Sequence, residues 1–242
     1  MTELKWKIDT IRTVLFSNEK LKFKKKEWSK IITGQDVFNE MTQEENGKIT
    51  QYIEMTNIEL NKQFNLVYVE EQNVLDLQLV FQHDQYTYSY DEIIEITKNF
   101  FEKNKKLFSV LRSSIIRIGN VVELSIAIDD EKSGCNLLKN NIPSLTAIGN
   151  DLDEISFRTN KSYIYKNVKV NRVIQYAIGQ KMTVAIDPKM GIPKANLQKH
   201  ILMNIDVNTD ASHRNVLDLE EFNLSSQDAI LDILKNRGVY AN

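Results

Sequence analysis

The sequence predicts an α+β protein with mostly antiparallel sheets and packed helices, and three observations carry that expectation. Apolar segments of period two come in clusters rather than singly between helices, unlike the alternating order of a doubly wound parallel sheet. One long segment, "SYDEIIEITKNFFEKNKKLFSVL", has the apolar stripe of a helix that covers a sheet. The order of segments reads β, α, three β, α, and then β, α, three or four β, α. That order divides the chain into two β-α-β-β-β-α halves, 1–111 and 112–242, which form two domains or one continuous one.

Taken in order, "LKWKIDTIRTVLF" alternates Leu4, Trp6 and Ile8, then Val14 and Phe16, as a strand does. "KEWSKIITGQDVFNEM" has the helical spacing Trp28, Ile31, Ile32, Phe38 and Met41, interrupted by Gly34. "KITQYIEMT" (48–56) reads as a strand, and "FNLVYVEE" (64–71) with "NVLDLQLVFQ" (73–82) reads as a hairpin. The long helix follows, with Ser89 as N-cap and Asp91 and Glu92 in its first turn, where the helix dipole favours acids. "SVLRSSIIRIGNVVELSIAID" (109–129) supplies one long strand, onto whose sheet that helix is expected to pack. Within it, alternation sets Arg117 opposite Ile116 and Ile118, where it is expected to fix a bend beside Gly119. Arg112 falls at the helix–strand junction as a solvated helix end. "SGCNLLKNNIPSLTAIG" is a short helix ended near Pro143. Strands recur at 154–159, 162–179, 181–187 and 200–208. "SSQDAILDILKNRG" closes the chain as a helix with a Ser cap, ending on Gly238.

Composition narrows the function. The 242 residues are 42% hydrophobic and 26% charged with net charge −2, so the whole chain has no bias toward nucleic acid or an anionic membrane. The ends differ: residues 1–30 carry nine basic groups against four acids, and residues 204–236 carry seven acids against Arg214 and Lys235. Cys135 is the only cysteine, which excludes an intrachain disulfide and fits a reducing compartment. "MTELKWKIDT" lacks the apolar core of a signal peptide, and no apolar run is long enough to span a bilayer, so a cytoplasmic protein is expected.

The chemical motifs are mostly negative. G-x-S-x-G, Walker A and G-x-G-x-x-G are absent, as is any Cys/His cluster with zinc spacing. No cofactor and no catalytic residue are expected. His83, His200 and His213 sit at strand ends or in a loop. "NIDVNTDASH" offers Asp206, Asp210 and His213 as candidate metal ligands without the EF-hand pattern, and Cys135 has no histidine near it in sequence. Lys20, Lys22, Lys24, Lys25 and Lys26, interleaved with Leu21 and Phe23, form the stripe that phosphate contacts would use. A compact lysine run is usually a solvated strand edge, and that reading of these residues outweighs the phosphate-binding one.

The segment "YSYDEI" through "KLFSVLRSSIIRIGNVVELSIAID", with "LMNIDVN" later, resembles a sporadically distributed family of uncharacterised bacterial proteins of about this length. "RIGN" keeps Arg117 and Asn120 of that family's strand motif, with Ile118 and Gly119 between them; "LMNIDVN" has Asn204 where the family has Asp. The resemblance covers roughly residues 80–236 and implies an accessory role at bacterial mobile or defence loci.

Three functions follow from these readings. The first is a non-enzymatic protein-binding or scaffold protein of bacterial or phage origin, engaging a protein partner or itself through the edges of its apolar strands. The second is nucleic-acid binding through Lys20, Lys22, Lys24, Lys25 and Lys26. The third is a metal-dependent hydrolase using Asp206, Asp210 and His213.

Overall fold

The computed structural model describes residues 4–22, 24–34, 39–45, 48–57, 62–81, 86–111, 114–142, 145, 155–186 and 193–240. Nine strands, β1 (Lys7–Ser17), β2 (Asn39–Glu45), β3 (Lys48–Asn57), β4 (Lys62–Val69), β5 (Val74–Phe81), β6 (Ile115–Ile128), β7 (Ser156–Tyr165), β8 (Val168–Ile186) and β9 (Pro193–Thr209), make one sheet. Its order is β2-β3-β4-β5-β1-β6-β9-β8-β7, and every neighbouring pair is antiparallel. The helices are α1 (Lys25–Thr33), α2 (Tyr90–Leu111), α3 (Glu131–Asn141) and α4 (Leu219–Lys235). The protein is of the α+β class. No described helix is long and apolar enough to cross a membrane.

Alternation in the strands decides which face the helices cover. In β1, Ile11, Thr13 and Leu15 are buried while Thr10, Arg12, Val14 and Phe16 are half-buried. Their counterparts Leu75 and Leu77 in β5, Ile118 and Val122 in β6, Ile205 and Val207 in β9, and Ile174 in β8 continue the buried side. Against it lie Ile93, Phe101, Leu107 and Phe108 of α2 and Ile230, Ile233 and Leu234 of α4, all at most 1% exposed. Each such side chain contributes about 1.5–3 kcal/mol of burial.

The helices form for local reasons as well. α2 carries β-branched Ile93, Ile94, Ile96 and Thr97, which are poor helix formers, and compensates with a capping box. Glu92 accepts from the Ser89 N–H at 2.7 Å, and the Ser89 hydroxyl accepts from the Glu92 N–H at 3.4 Å. α3 is capped by Asp130, whose carboxylate accepts from the Ser133 N–H. α4 ends in two left-handed residues, Arg237 (φ 55) and Gly238 (φ 81). Gly238 N–H closes onto the Ile233 carbonyl, and a Cβ at 238 would fall 2.0 Å from the Tyr176 hydroxyl. Only glycine fits there.

At the centre of the covered face runs a buried polar network. The Thr13 hydroxyl donates to Asn120 Oδ1 (2.6 Å), and Asn120 Nδ2 donates to Ser226 Oγ (2.5 Å) and Asn223 Oδ1 (3.3 Å) of α4. Asn104 of α2 donates to Thr13 at 3.5 Å. Thr13, Asn104, Asn120 and Asn223 are fully buried. They lock both helices to the β1–β6 seam.

Several local expectations are corrected. The helix expected through Met41 stops at Gly34, which is left-handed (φ 77), and residues from Asn39 form β2 instead; Phe38 lies outside the described residues. The strand expected over 162–179 is cut by the turn Lys166–Asn167, whose two left-handed residues (φ 47 and 64) join β7 to β8 in a tight hairpin. Asn167 accepts positive φ readily, but Lys166 does so rarely and no glycine marks the turn. β8 then runs through to Ile186, absorbing the segment from 181. The last helix starts at Leu219 under an Asp218 cap, so Ser225 and Ser226 lie inside it. The irregularity near Arg117 is not at Gly119, through which β6 continues: the β1–β6 register shifts between Phe16 and Ser17, beside Arg117, whose guanidinium lies 4.2 Å from the centre of the Phe16 ring across the seam. Arg112, His83 and Pro143 lie outside the described residues.

Candidate functional surface

No described helix packs on the second face of the sheet, and its side chains form a cross-strand polar lattice. Register places Arg12 of β1 between Gln78 of β5 and Val121 of β6, and Asp206 of β9 opposite Val121. The Arg12 guanidinium grips Asp76, with Nη2 2.5 Å from Oδ2 and Nε 3.4 Å from Oδ1, and Gln78 Nε2 donates to the same carboxylate at 2.6 Å. Burial opposes the Arg12 charge, but Asp76, Glu123 and Asp206 outweigh it and raise its pKa.

Two carboxylates sit across the seam from that fork. Burial raises the pKa of Glu123 of β6, against the attraction of Arg12 and Lys181 and a 3.2 Å hydrogen bond from Asn204 Nδ2. Burial likewise raises Asp206, against a bond from Asn208 Nδ2 at 2.8 Å and the charges of Arg158 and Arg12. Asp206 ends a chain of amides that crosses three strands. Asn160 of β7 donates to Asn171 of β8 (3.4 Å), Asn171 to Asn208 of β9 (3.2 Å), and Asn208 to Asp206. Each amide is thereby oriented before any partner arrives.

At the margin of this face Lys181 pairs with Asp9 and donates to Ser125 Oγ at 2.9 Å, while the Ser125 hydroxyl donates to Asp9 at 3.0 Å. A serine beside a lysine invites a nucleophilic reading. Ser125 is completely buried and its hydroxyl is committed to both neighbours, so the cluster joins β1, β6 and β8 rather than facing a substrate. His200 lies at this margin, 2% exposed, with Nδ1–H donating to the Gln198 carbonyl at 3.0 Å. Burial lowers its pKa, helped by Lys181 and Lys7, so the ring is neutral near neutral pH.

The sequence-predicted candidates are dispersed. Asp210 lies just past β9, where bonds from Ser212, then the Lys169 ammonium, lower its pKa to about 2. His213 lines a shallow depression with Lys166, Asn167, Asn215, Asp218 and Phe222. Among the described residues no three His, Cys, Asp or Glu side chains are placed to hold a metal, so Asp206, Asp210 and His213 are not brought together. Cys135 is a buried thiol on α3. Of the lysine stripe, Lys20 pairs with Glu70 and Lys24 with Glu27 at 2.8 Å, Lys22 is exposed, and the side chains of Lys25 and Lys26 lie outside the described residues.

Sequence reasoning missed Arg12, Asp76, Glu123, Asn171 and Asn208. Their signal was a polar residue at every second position of an otherwise apolar strand, as in "MNIDVN" and "VVELS", repeated on neighbouring strands. Only the register shows that these positions share a face.

Fold and surface together define a class of molecule: an α+β protein built on one nine-stranded antiparallel sheet, helix-covered on one side and polar on the other. Comparison with protein-family models, curated proteins and solved structures gives no match.

Proposed function

We propose that the chain is a non-enzymatic protein-binding or scaffold protein whose recognition surface is the polar face of its sheet. The observation that carries this is the amide chain Asn160–Asn171–Asn208–Asp206 beside the Arg12–Asp76 fork. Such a surface is charge-mixed and pre-organised, so binding fixes few additional rotamers. Its arginines and carboxylates are balanced in sign, which suits the mixed charge of a protein surface better than a phosphate backbone. With the resemblance to the sporadic bacterial family as its support, the proposal extends to a role in the cytoplasm of a bacterium or its phage, as an accessory to a defence or counter-defence system.

The two halves, 1–111 and 112–242, are in this reading variants of one β-α-β-β-β-α unit. Outward from the seam the strand order is β1-β5-β4-β3 on one side and β6-β9-β8-β7 on the other, with β2 as an addition to the first half. Each half ends in a helix on the same face.

The test is capture from cells that carry the gene, comparing wild type with Asn171→Arg and Asn204→Arg on the polar face and Lys98→Glu on the exposed side of α2. A partner held through the polar face loses at least about tenfold in affinity, or 1.4 kcal/mol, in the first two variants and nothing in the third. A partner indifferent to Asn171→Arg and Asn204→Arg, or one that is nucleic acid removed by nuclease, refutes the reading.

A further inference from the structure

Among the described residues β7 is one edge of the sheet, and its geometry suits a second copy of itself. It is ten residues long and pairs with β8 residue for residue without a bulge. It contains no proline. Proteins that keep their edges apart shorten them, kink them, insert proline or charge them; β7 is long, unkinked and free of proline, and carries only Arg158 and Lys161 as charges. The hairpin fixes which backbone groups are unused. Its two-residue turn makes Tyr165 and Val168 a hydrogen-bonded pair, so odd-numbered residues of β7 turn their N–H and C=O groups toward β8. The bond from Ile178 N–H to the Ile155 carbonyl (3.2 Å) follows the same parity. Ser156, Arg158, Asn160, Ser162 and Ile164 therefore point theirs away from the sheet, and Ile164 is 67% exposed.

We infer that the protein self-associates through β7 against β7 of a second copy, antiparallel about a two-fold axis at Asn160. The inference rests on the reading of the chain as a scaffold; it uses the backbone edge of β7 and shares only Asn160 with the polar-face network. Only even-numbered residues have free groups, so a two-fold axis must centre on one of a few residues. Centred on Arg158 or Lys161, the pairing sets like charges face to face. Centred on Asn160, it sets amide against amide, Arg158 against Ser162, and Lys161 against Thr159. It also makes two Phe157–Tyr163 aromatic pairs, and the Lys161 ammonium already leans over its own Tyr240 ring, 5.9 Å from the centroid. The result is one continuous sheet with the helices of both copies on the same side.

The experiment is analytical ultracentrifugation of the full chain from low to high micromolar concentration. Wild type sediments as a dimer. Ser162→Pro removes an outward N–H that the monomer does not use, so it yields a folded monomer with an unchanged circular dichroism spectrum. Asn160→Lys and Asn160→Asp are each weakened at least about tenfold as homodimers, and mixing them restores a one-to-one dimer, because residue 160 faces itself only in this register. A wild-type monomer refutes the inference, as does a dimer untouched by Ser162→Pro. An open-ended series of masses also refutes it and points instead to head-to-tail pairing with the acidic edge β2. Failure on any of these counts leaves the partner capture by Asn171 and Asn204 unaffected, so the two readings fail separately.

Discussion

At the scale of single residues, the polar face is held at an electrostatic cost that pH can expose. Burial raises the pKa of Glu123 and of Asp206 even though Arg12 attracts both. The folded state therefore keeps these protons at pH values where the unfolded chain, titrating near about 4, has lost them. The stability they confer is fully present below that value and declines as pH rises through their folded values. Glu123→Gln and Asp206→Asn keep the acceptor oxygens for Asn204 and Asn208 while removing the charge. The double variant should gain in urea midpoint over wild type at about pH 7, with the gain vanishing toward about pH 4. A loss that grows with pH would show that Arg12 more than compensates burial, and a gain of equal size at both ends would show that ionisation of these carboxylates is not its source. Neither carboxylate was legible as special in the sequence. Asp206 entered only as a metal candidate, because its relation to Arg12 is made by two strand pairings across more than a hundred residues of chain.

At the scale of elements, strands and helices were legible where amphipathicity was strong. β5, β6 and α2 follow their apolar periods, and Ser89 caps α2 as the sequence indicates. Boundaries were lost where a polar stretch carried no period. The start of α4 at Leu219 lies in "DLEEFN", whose cap at Asp218 was overlooked in favour of Ser225. The reason lies in Asn223 and Ser226, polar residues that belong to the buried side of the helix. They meet Asn120 under the sheet, so the apolar stripe is broken where the helix is most firmly tied. Asn120→Ala leaves Thr13 and Asn223 short of a partner in a site without water access. Buried groups stripped of a partner cost about 1–3 kcal/mol each, so with two such groups the variant should lose about 2–6 kcal/mol in urea unfolding with little change in slope. A loss below about 0.5 kcal/mol, the range of an ordinary surface substitution, would mean the network carries no weight in seating α4.

At the scale of the whole molecule, the β1–β6 seam joins what the sequence divides at residue 111. Across it lie ten register pairs from Lys7–Ser125 to Ser17–Ile115, and over it α2 meets α4 through the Thr13–Asn120 network. Separated, residues 1–111 leave β1 as a bare edge, and residues 112–242 do the same for β6, with the buried Asn120 no longer matched to Thr13. An exposed edge of that length and apolarity is a template for aggregation. The two fragments expressed apart should therefore be poorly soluble or lack a cooperative melt, while the intact chain unfolds in one transition. Co-expressed, they should co-purify as a one-to-one complex with the sheet-rich dichroism of the whole chain. Independent cooperative folding of either fragment would show instead that the seam is an interface between finished domains. In that case the sheet's continuity would be a matter of assembly, and the polar face, which takes Arg12 and Asp76 from one half and Glu123 and Asp206 from the other, would form only on docking.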